Sequence, residues 1–193
     1  MNTPERKRMI LLGLAVAITQ WAHDRRIIAT ENAKGQFMKL VSEFGEICEG
    51  IREDDDCKTQ DGIGDTFVML NNVSAIMGGE IIGLMANPCE PSDDPLFFVE
   101  HMGLLSDYVA KNQRDNALET LGLLGNSLQL LCRKLGFDFV ECVEVAYNEI
   151  KHRRGVMYGG VFVKEDDKRY PGIMQELEMQ DLNESKAAQG VDA

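Results

Sequence analysis

The stretch KLVSEFGEICEGI, residues 39–51, decides how this chain is read. With Phe37 just before it, its apolar residues Leu40, Val41, Phe44, Ile47, Cys48 and Ile51 keep the three-and-four spacing of a helical stripe facing a core. A strand would alternate every second residue instead. Gln36, Lys39, Glu43 and Glu46 fall at i, i+3, i+7 and i+10 and form a polar stripe beside the apolar one. The first expectation is therefore a helix that carries two carboxylates at the border of its buried face.

Working outward, the same periodicity and the breaker residues predict helices at roughly 4–28, 33–53, 59–78, 95–112, 115–135 and 138–153. Almost nothing reads as a central strand, so the fold class is all-α, a helical bundle. Asp54, Asp55 and Asp56 end the second helix in a solvated turn. NPCEPSDDP (87–95) is a connector whose Pro95 suits the first turn of the next helix. GVMYGGVFVKEDD (155–167) reads as a turn plus a short extended segment. The expected organisation is one domain over 1–170, with a flexible tail over 171–193 that offers little to bury.

Composition narrows the function. The chain has 193 residues, is 44% hydrophobic and carries a formal charge of −12, enough apolar content for a real core and the wrong sign for a polyanion. Long nucleic acid is not an expected partner, whereas a small phosphate ligand bridged by divalent metal is compatible with acidic side chains. Five cysteines without a CxxC pair fit reduced thiols in a cytoplasm. ERKR followed by MILLGLAVAI (5–18) imitates a signal peptide, but the apolar run is too short to span a bilayer and continues into TQWAHDRRII as one helix. No membrane association is expected.

A repeat runs through the chain. Sliding it by 58 positions, from 43 to 101, lays EFGEICEGI on HMGLLSDYV and DGIGDTFVMLNNVSAIMG on ETLGLLGNSLQLLCRKLG without a gap. Glu43 becomes His101, Glu46 becomes Leu104, Asp65 becomes Leu123 and Asn72 becomes Leu130, while Asp61 keeps an acid as Glu119. The second copy thus reads as a degenerate scaffold, and the chain as having one active site.

On the third helix Asp61, Asp65 and Asn72 stack at i, i+4 and i+11. An antiparallel hairpin of the second and third helices brings Glu43, Glu46, Asp61 and Asp65 around one small volume. Four carboxylates there need a counter-charge, and oxygen-only ligands select Mg²⁺ or Mn²⁺. ExxE on a helix is also a common solvated face, and DGIGD can be turn chemistry with an N-cap. In AYNEIKHRRG (146–155), Asn148, Lys151 and Arg154 step along a helix end as a phosphate clamp or as plain dipole complements.

These pieces resemble a known family. EFGE followed by DGIGDTFVMLNN is similar to the ExxE…ExxD signature of the all-α nucleoside triphosphate pyrophosphohydrolases, the MazG-like and dimeric dUTPase-like superfamily. WAHDRRIIATENAKGQFMKLVSEFGEICEGI (21–51) and ECVEVAYNEIKHRRGVMYGGVFVKED (141–166) look like the two ends of small MazG-like proteins of phages and bacteria. The resemblance covers roughly 15–78 and 137–167, and the degenerate copy at about 79–136 is extra.

The resemblance implies hydrolysis of a (deoxy)nucleoside triphosphate to the monophosphate and pyrophosphate, with Mg²⁺ or Mn²⁺ as cofactor. Glu43 and Glu46 fall on ExxE, with Glu46 as the residue that orients or deprotonates water. Asp65 falls on the aspartate of ExxD, and Asn72 on an asparagine often found seven residues later. Lys39, Asn148, Lys151 and Arg154 are implied phosphate contacts, and Trp21 and Gln36 lie where a base pocket is expected. The family also implies paired subunits, hence a homodimer or a pseudo-dimer completed by the degenerate copy. One departure is Gly62, which stands where ExxD has its glutamate, with Asp61 as the nearest acid. Two rivals follow: a nucleotide-binding module with decayed catalysis, and a structural bundle whose acidic stripe is only solvated.

Overall fold

The computed structural model describes residues 3–29 and 32–188. In chain order the elements are α1 (Pro4–Asp24), α2 (Ala33–Glu53), α3 (Asp56–Ile76), the single turn α4 (Ile81–Leu84), α5 (Pro95–Ala110), α6 (Arg114–Lys134), α7 (Phe139–Ile150), the strands β1 (Gly155–Tyr158) and β2 (Val161–Lys164), and α8 (Tyr170–Ala188). Local chemistry sets several of these ends. Thr3 caps α1 by accepting from the Arg6 amide, Asp55 caps α3 by accepting from Lys58, and Asp94 caps α5 by accepting from Leu96, with Pro95 in the first turn. α1 stops at Asp24, short of the expected 28, because Arg26 adopts a left-handed conformation (φ 56°).

Two units divide the chain, Met1–His152 and Arg153–Ala193. In the first, α3 is the central helix. It packs against α2, α7, α1 and α6, and buries Ile63, Phe67, Leu70 and Val73 completely. All five cysteines are free.

The second unit departs from the expected single domain over 1–170 and flexible tail over 171–193. β1 and β2 form an antiparallel hairpin, with Val156 opposite Val163. α8 carries Ile173 and Leu177, at i and i+4, and these two bury themselves with Val156 and Val163 in a small core of their own. That short apolar stripe, hidden in a polar stretch, is the reason 170–188 is helical. Positions 189–193 of the expected tail lie outside the described residues.

Several features of the first unit recur 58 positions apart, although α2 has 21 residues against 16 in α5 and α4 has 4 against 12 in α7. α3 and α6 are 21 residues each and begin at Asp56 and Arg114. α4 and α7 begin at Ile81 and Phe139. The turns repeat too: Asp54 (φ 56°) corresponds to Asn112 (φ 53°) and Gly78 (φ 78°) to Gly136 (φ 87°). The Asp55 amide donates to the Gly50 carbonyl at 2.9 Å, and the Gln113 amide to the Tyr108 carbonyl at 2.8 Å.

Packing between the halves is reciprocal. Gly64 lies against the Cys142 carbonyl, and Gly122 against the Leu84 carbonyl, where a Cβ would come within 2.7 Å. The Phe67 ring meets Phe139 edge-on at 5.4 Å, and a Cβ on Gly125 would lie 3.6 Å from Ile81. Residue i touching j′ while i′ touches j is the pattern of a two-fold interface, here within one chain.

Candidate functional site

α2 and α3 form an antiparallel hairpin whose register is fixed at three levels. Gly50 abuts Thr59, Gly62 abuts Ile47 and the Glu43 carbonyl, and the Asn72 side-chain amide donates to Gln36 Oε1 at 3.1 Å. From the Gln36–Asn72 rung, Glu43 and Asp65 are each seven residues, about 10 Å, along their helices. They occupy the same level of the hairpin. Glu46 and Asp61 follow a turn further on.

The face that α2 buries is shifted to one side of the one its apolar residues predict. Phe37, Leu40, Phe44 and Ile47 are buried as expected, but Val41 and Ile51 are 38% and 39% exposed and Cys48 is exposed. Gln36, Glu43 and Gly50 are inside in their place, Glu43 at 5% exposure. The cause is the close approach at Gly50 and Gly62, where there is no room even for a methyl group. The helix rolls toward α3 along that glycine edge and carries Glu43 inward with it.

Burial of a carboxylate requires a partner. Glu43 has one in Lys39, whose ammonium lies 2.5 Å from Oε1 while the rest of the lysine stays largely exposed. Glu46, Asp61 and Asp65 are half-buried. The four carboxylates are strung along the hairpin, and among the described residues no three His, Cys, Asp or Glu side chains gather so as to hold a metal ion. The donors are of the oxygen type that suits Mg²⁺, but as they stand they do not fit a metal centre made by protein ligands alone.

Several side chains of α1 and α3 bury polar atoms with no hydrogen-bond partner among the described residues. They include Asn72 Oδ1 and Trp21 Nε1. Trp21 lies on α1, with the Arg25 guanidinium 4.9 Å above its ring. α1 is anchored to α3 close by, where the Asn71 amide donates to the Thr19 hydroxyl at 2.9 Å. Thr66, next to Asp65, and Ser74 also bury hydroxyls without partners. Sequence reasoning passed over both, although polar residues recurring on every face of an apolar helix were a visible signal.

The basic helix end divides. α7 runs antiparallel to α3, since Phe139 meets Phe67 while Ala146 meets Gly64. Its last turn therefore lies toward Asp61, and it carries Asn148, which accepts from the Lys151 ammonium at 2.5 Å. Arg154 belongs to the second unit, where it pairs with Glu165 at 3.6 Å.

Among known proteins, the chain is similar to one described as an "uncharacterized 18.2 kDa protein in rep-hol intergenic region" of Haemophilus phage HP1, strain HP1c1. The two are 42% identical over 53 residues, which is 28% of this chain and 32% of the phage protein. The match thus spans about a third of that relative's length. No family model matches the chain, and no solved structure does. No helix among the described residues is long and apolar enough to cross a membrane.

Proposed function

We propose that the protein is a metal-dependent, MazG-like nucleoside triphosphate pyrophosphohydrolase, with the α2–α3 hairpin as its site. The observation that carries this reading is the buried Gln36–Asn72 hydrogen bond, which sets Glu43 level with Asp65 two turns away. Asn72 Oδ1 and Trp21 Nε1, both buried without a hydrogen-bond partner among the described residues, support a base-binding end of the same hairpin.

Mg²⁺, or Mn²⁺, enters as part of the substrate, since Mg²⁺ is commonly held by one or two carboxylates together with phosphates. When bound it neutralises the triphosphate charge. Glu43, Asp61 and Asp65 receive the metal-bearing phosphates, and Lys39 is free to turn from Glu43 toward them. Asn148 and Lys151 supply polar contacts from the end of α7. Glu46, the more exposed glutamate, orients a water and takes its proton as the new oxygen–phosphorus bond forms at the α-phosphorus. The bond from that phosphorus to the bridging oxygen breaks, and pyrophosphate leaves with the electron pair.

The same reading makes the segment at about 79–136, which holds α4, α5 and α6, a degenerate copy standing in for a second subunit, and it extends to a homodimer of such chains in a reducing cytoplasm, the host's if the gene is viral. A second reading, a nucleotide-binding module without turnover, is favoured by Gly62, whose packing leaves no space for the family's glutamate. Pyrophosphate release from a panel of ribo- and deoxynucleoside triphosphates, with Mg²⁺ or Mn²⁺, separates them. Release abolished by EDTA and by Glu46→Ala supports the enzyme. Nucleotide binding without release supports the module, and neither outcome leaves a structural bundle.

A further inference from the structure

The α1 helix exists once, whereas the halves it packs on are two. On the first half it covers α3, where Asn71 is 3% exposed and bonded to Thr19. The residue 58 positions on is Gln129 of α6, which is only half-buried and has no hydrogen bond among the described residues. It lines a cavity of about 750 Å³. α1 itself lines one side of it, through Pro4, Lys7, Arg8 and Leu11.

Its walls are of two kinds. Leu11, Ile82 and Phe139, all buried, give it an apolar floor. Lys7, Arg8 and Arg133 stand along the lining, against one carboxylate, Asp138. Asp138 is already neutralised, by Lys7 at 2.5 Å, and it also caps α7 by accepting from the Val140 and Glu141 amides. Arg8 and Arg133 make no ion pair among the described residues. In a chain of formal charge −12, two uncommitted guanidiniums beside an apolar hollow are a local reversal of sign.

We infer that this cavity is a second small-molecule site, for an organic anion that joins an apolar or aromatic body to a phosphate, sulfonate or carboxylate group. The size is that of ordinary ligand pockets. Guanidiniums recognise such oxyanions through paired N–H donors, while the floor takes the apolar body. The site shares no residue with the α2–α3 groove and does not depend on the function proposed for that groove.

The test uses the full chain and two fluorescent probes of one shape, 8-anilinonaphthalene-1-sulfonate and the uncharged N-phenyl-1-naphthylamine. The sulfonate is expected to bind saturably at one per chain, about tenfold more weakly in Arg8→Ala or Arg133→Ala, and more weakly in high salt. The uncharged probe is expected to be insensitive to both substitutions. Gln129→Trp, which sets a bulky ring into the cavity, is expected to weaken both probes, with circular dichroism and melting temperature checking that each variant folds. No saturable sulfonate binding, or sulfonate binding that neither arginine affects, overturns the site. Equal loss of both probes in the arginine variants overturns its assignment to anions.

Discussion

Gly62 of α3 lies so close to Ile47 of α2 that a Cβ at position 62 would come within 2.9 Å of Ile47 Cγ1 and 3.0 Å of the Ile47 amide. The position at which the proposed MazG-like reading expects a glutamate is the seam of the hairpin. Restoring the pattern with Gly62→Glu is expected to destabilise the protein by about 1–3 kcal/mol or more, as over-packing does, and not to raise nucleotide hydrolysis. Urea denaturation midpoints and pyrophosphate release measure both parts. A more active, equally stable variant would show that the seam opens to admit the side chain.

The Asn72 bond to Gln36 is buried, Asn72 being 0% and Gln36 6% exposed. Asn72→Leu copies the residue that stands at Leu130 in the second half. It is expected to cost about 1–3 kcal/mol, because Gln36 is left buried without its donor. Gln36→Met combined with Asn72→Leu should recover part of that loss. A double-mutant cycle reads the coupling, and strictly additive losses would mean the bond contributes nothing to stability.

Lys39 is largely exposed, but Glu43 is not. Lys39→Met leaves a buried carboxylate uncompensated and is expected to cost about 1–3 kcal/mol, more than Glu43→Gln, which removes the charge itself. Thermal melts of both variants at neutral pH test the order. If the hairpin receives a metal-bound triphosphate, Mg²⁺ with nucleotide raises the melting temperature of the parent chain and not of Glu43→Gln.

The Lys7–Asp138 pair ties α1 to the cap of α7 and gives stability a pH dependence at both ends. The hydrogen bond from Lys7 holds the Asp138 carboxyl below its ordinary value of 3.8, against the opposing effect of burial. This contribution is complete above that value and disappears as pH falls through the depressed folded one. Lys7 is raised above 10.5 by Asp138, first through the hydrogen bond and then by charge, with Glu141 adding a little. Its contribution is complete below 10.5 and is lost as pH rises through the raised value. Asp138→Asn is expected to flatten both limbs of a melting-temperature profile by a small amount, and unchanged limbs would show the pair to be thermodynamically silent.

How much of this was legible can be judged on α2. Its bounds, 33–53, match the expected ones, because helix formation and termination answer to neighbours within a turn or two: apolar spacing, a left-handed Asp54, a capping Asp55. The start of α5 was readable for the same reason, through Pro95, whereas α3 begins at Asp56, three residues before the expected 59 and inside the stretch read as a solvated turn. The polar stripe was readable as well, and the hairpin does bring Glu43 level with Asp65. The tail failed because Ile173 and Leu177 gain their burial only from Val156 and Val163 on the strands before them.

By itself, then, the order of residues determined that this chain is helical, where most helices begin and end, and which side chains share a stripe. Tertiary structure decided how far the buried face is shifted from the apolar stripe. Val41, Cys48 and Ile51 are as apolar as a core position requires, yet they face out, while Gln36 and Glu43 face in. The distance between two helices depends on what each presents at the crossing. Gly50 and Gly62 lower that distance on one edge, and the closer edge, whatever its polarity, becomes the inside.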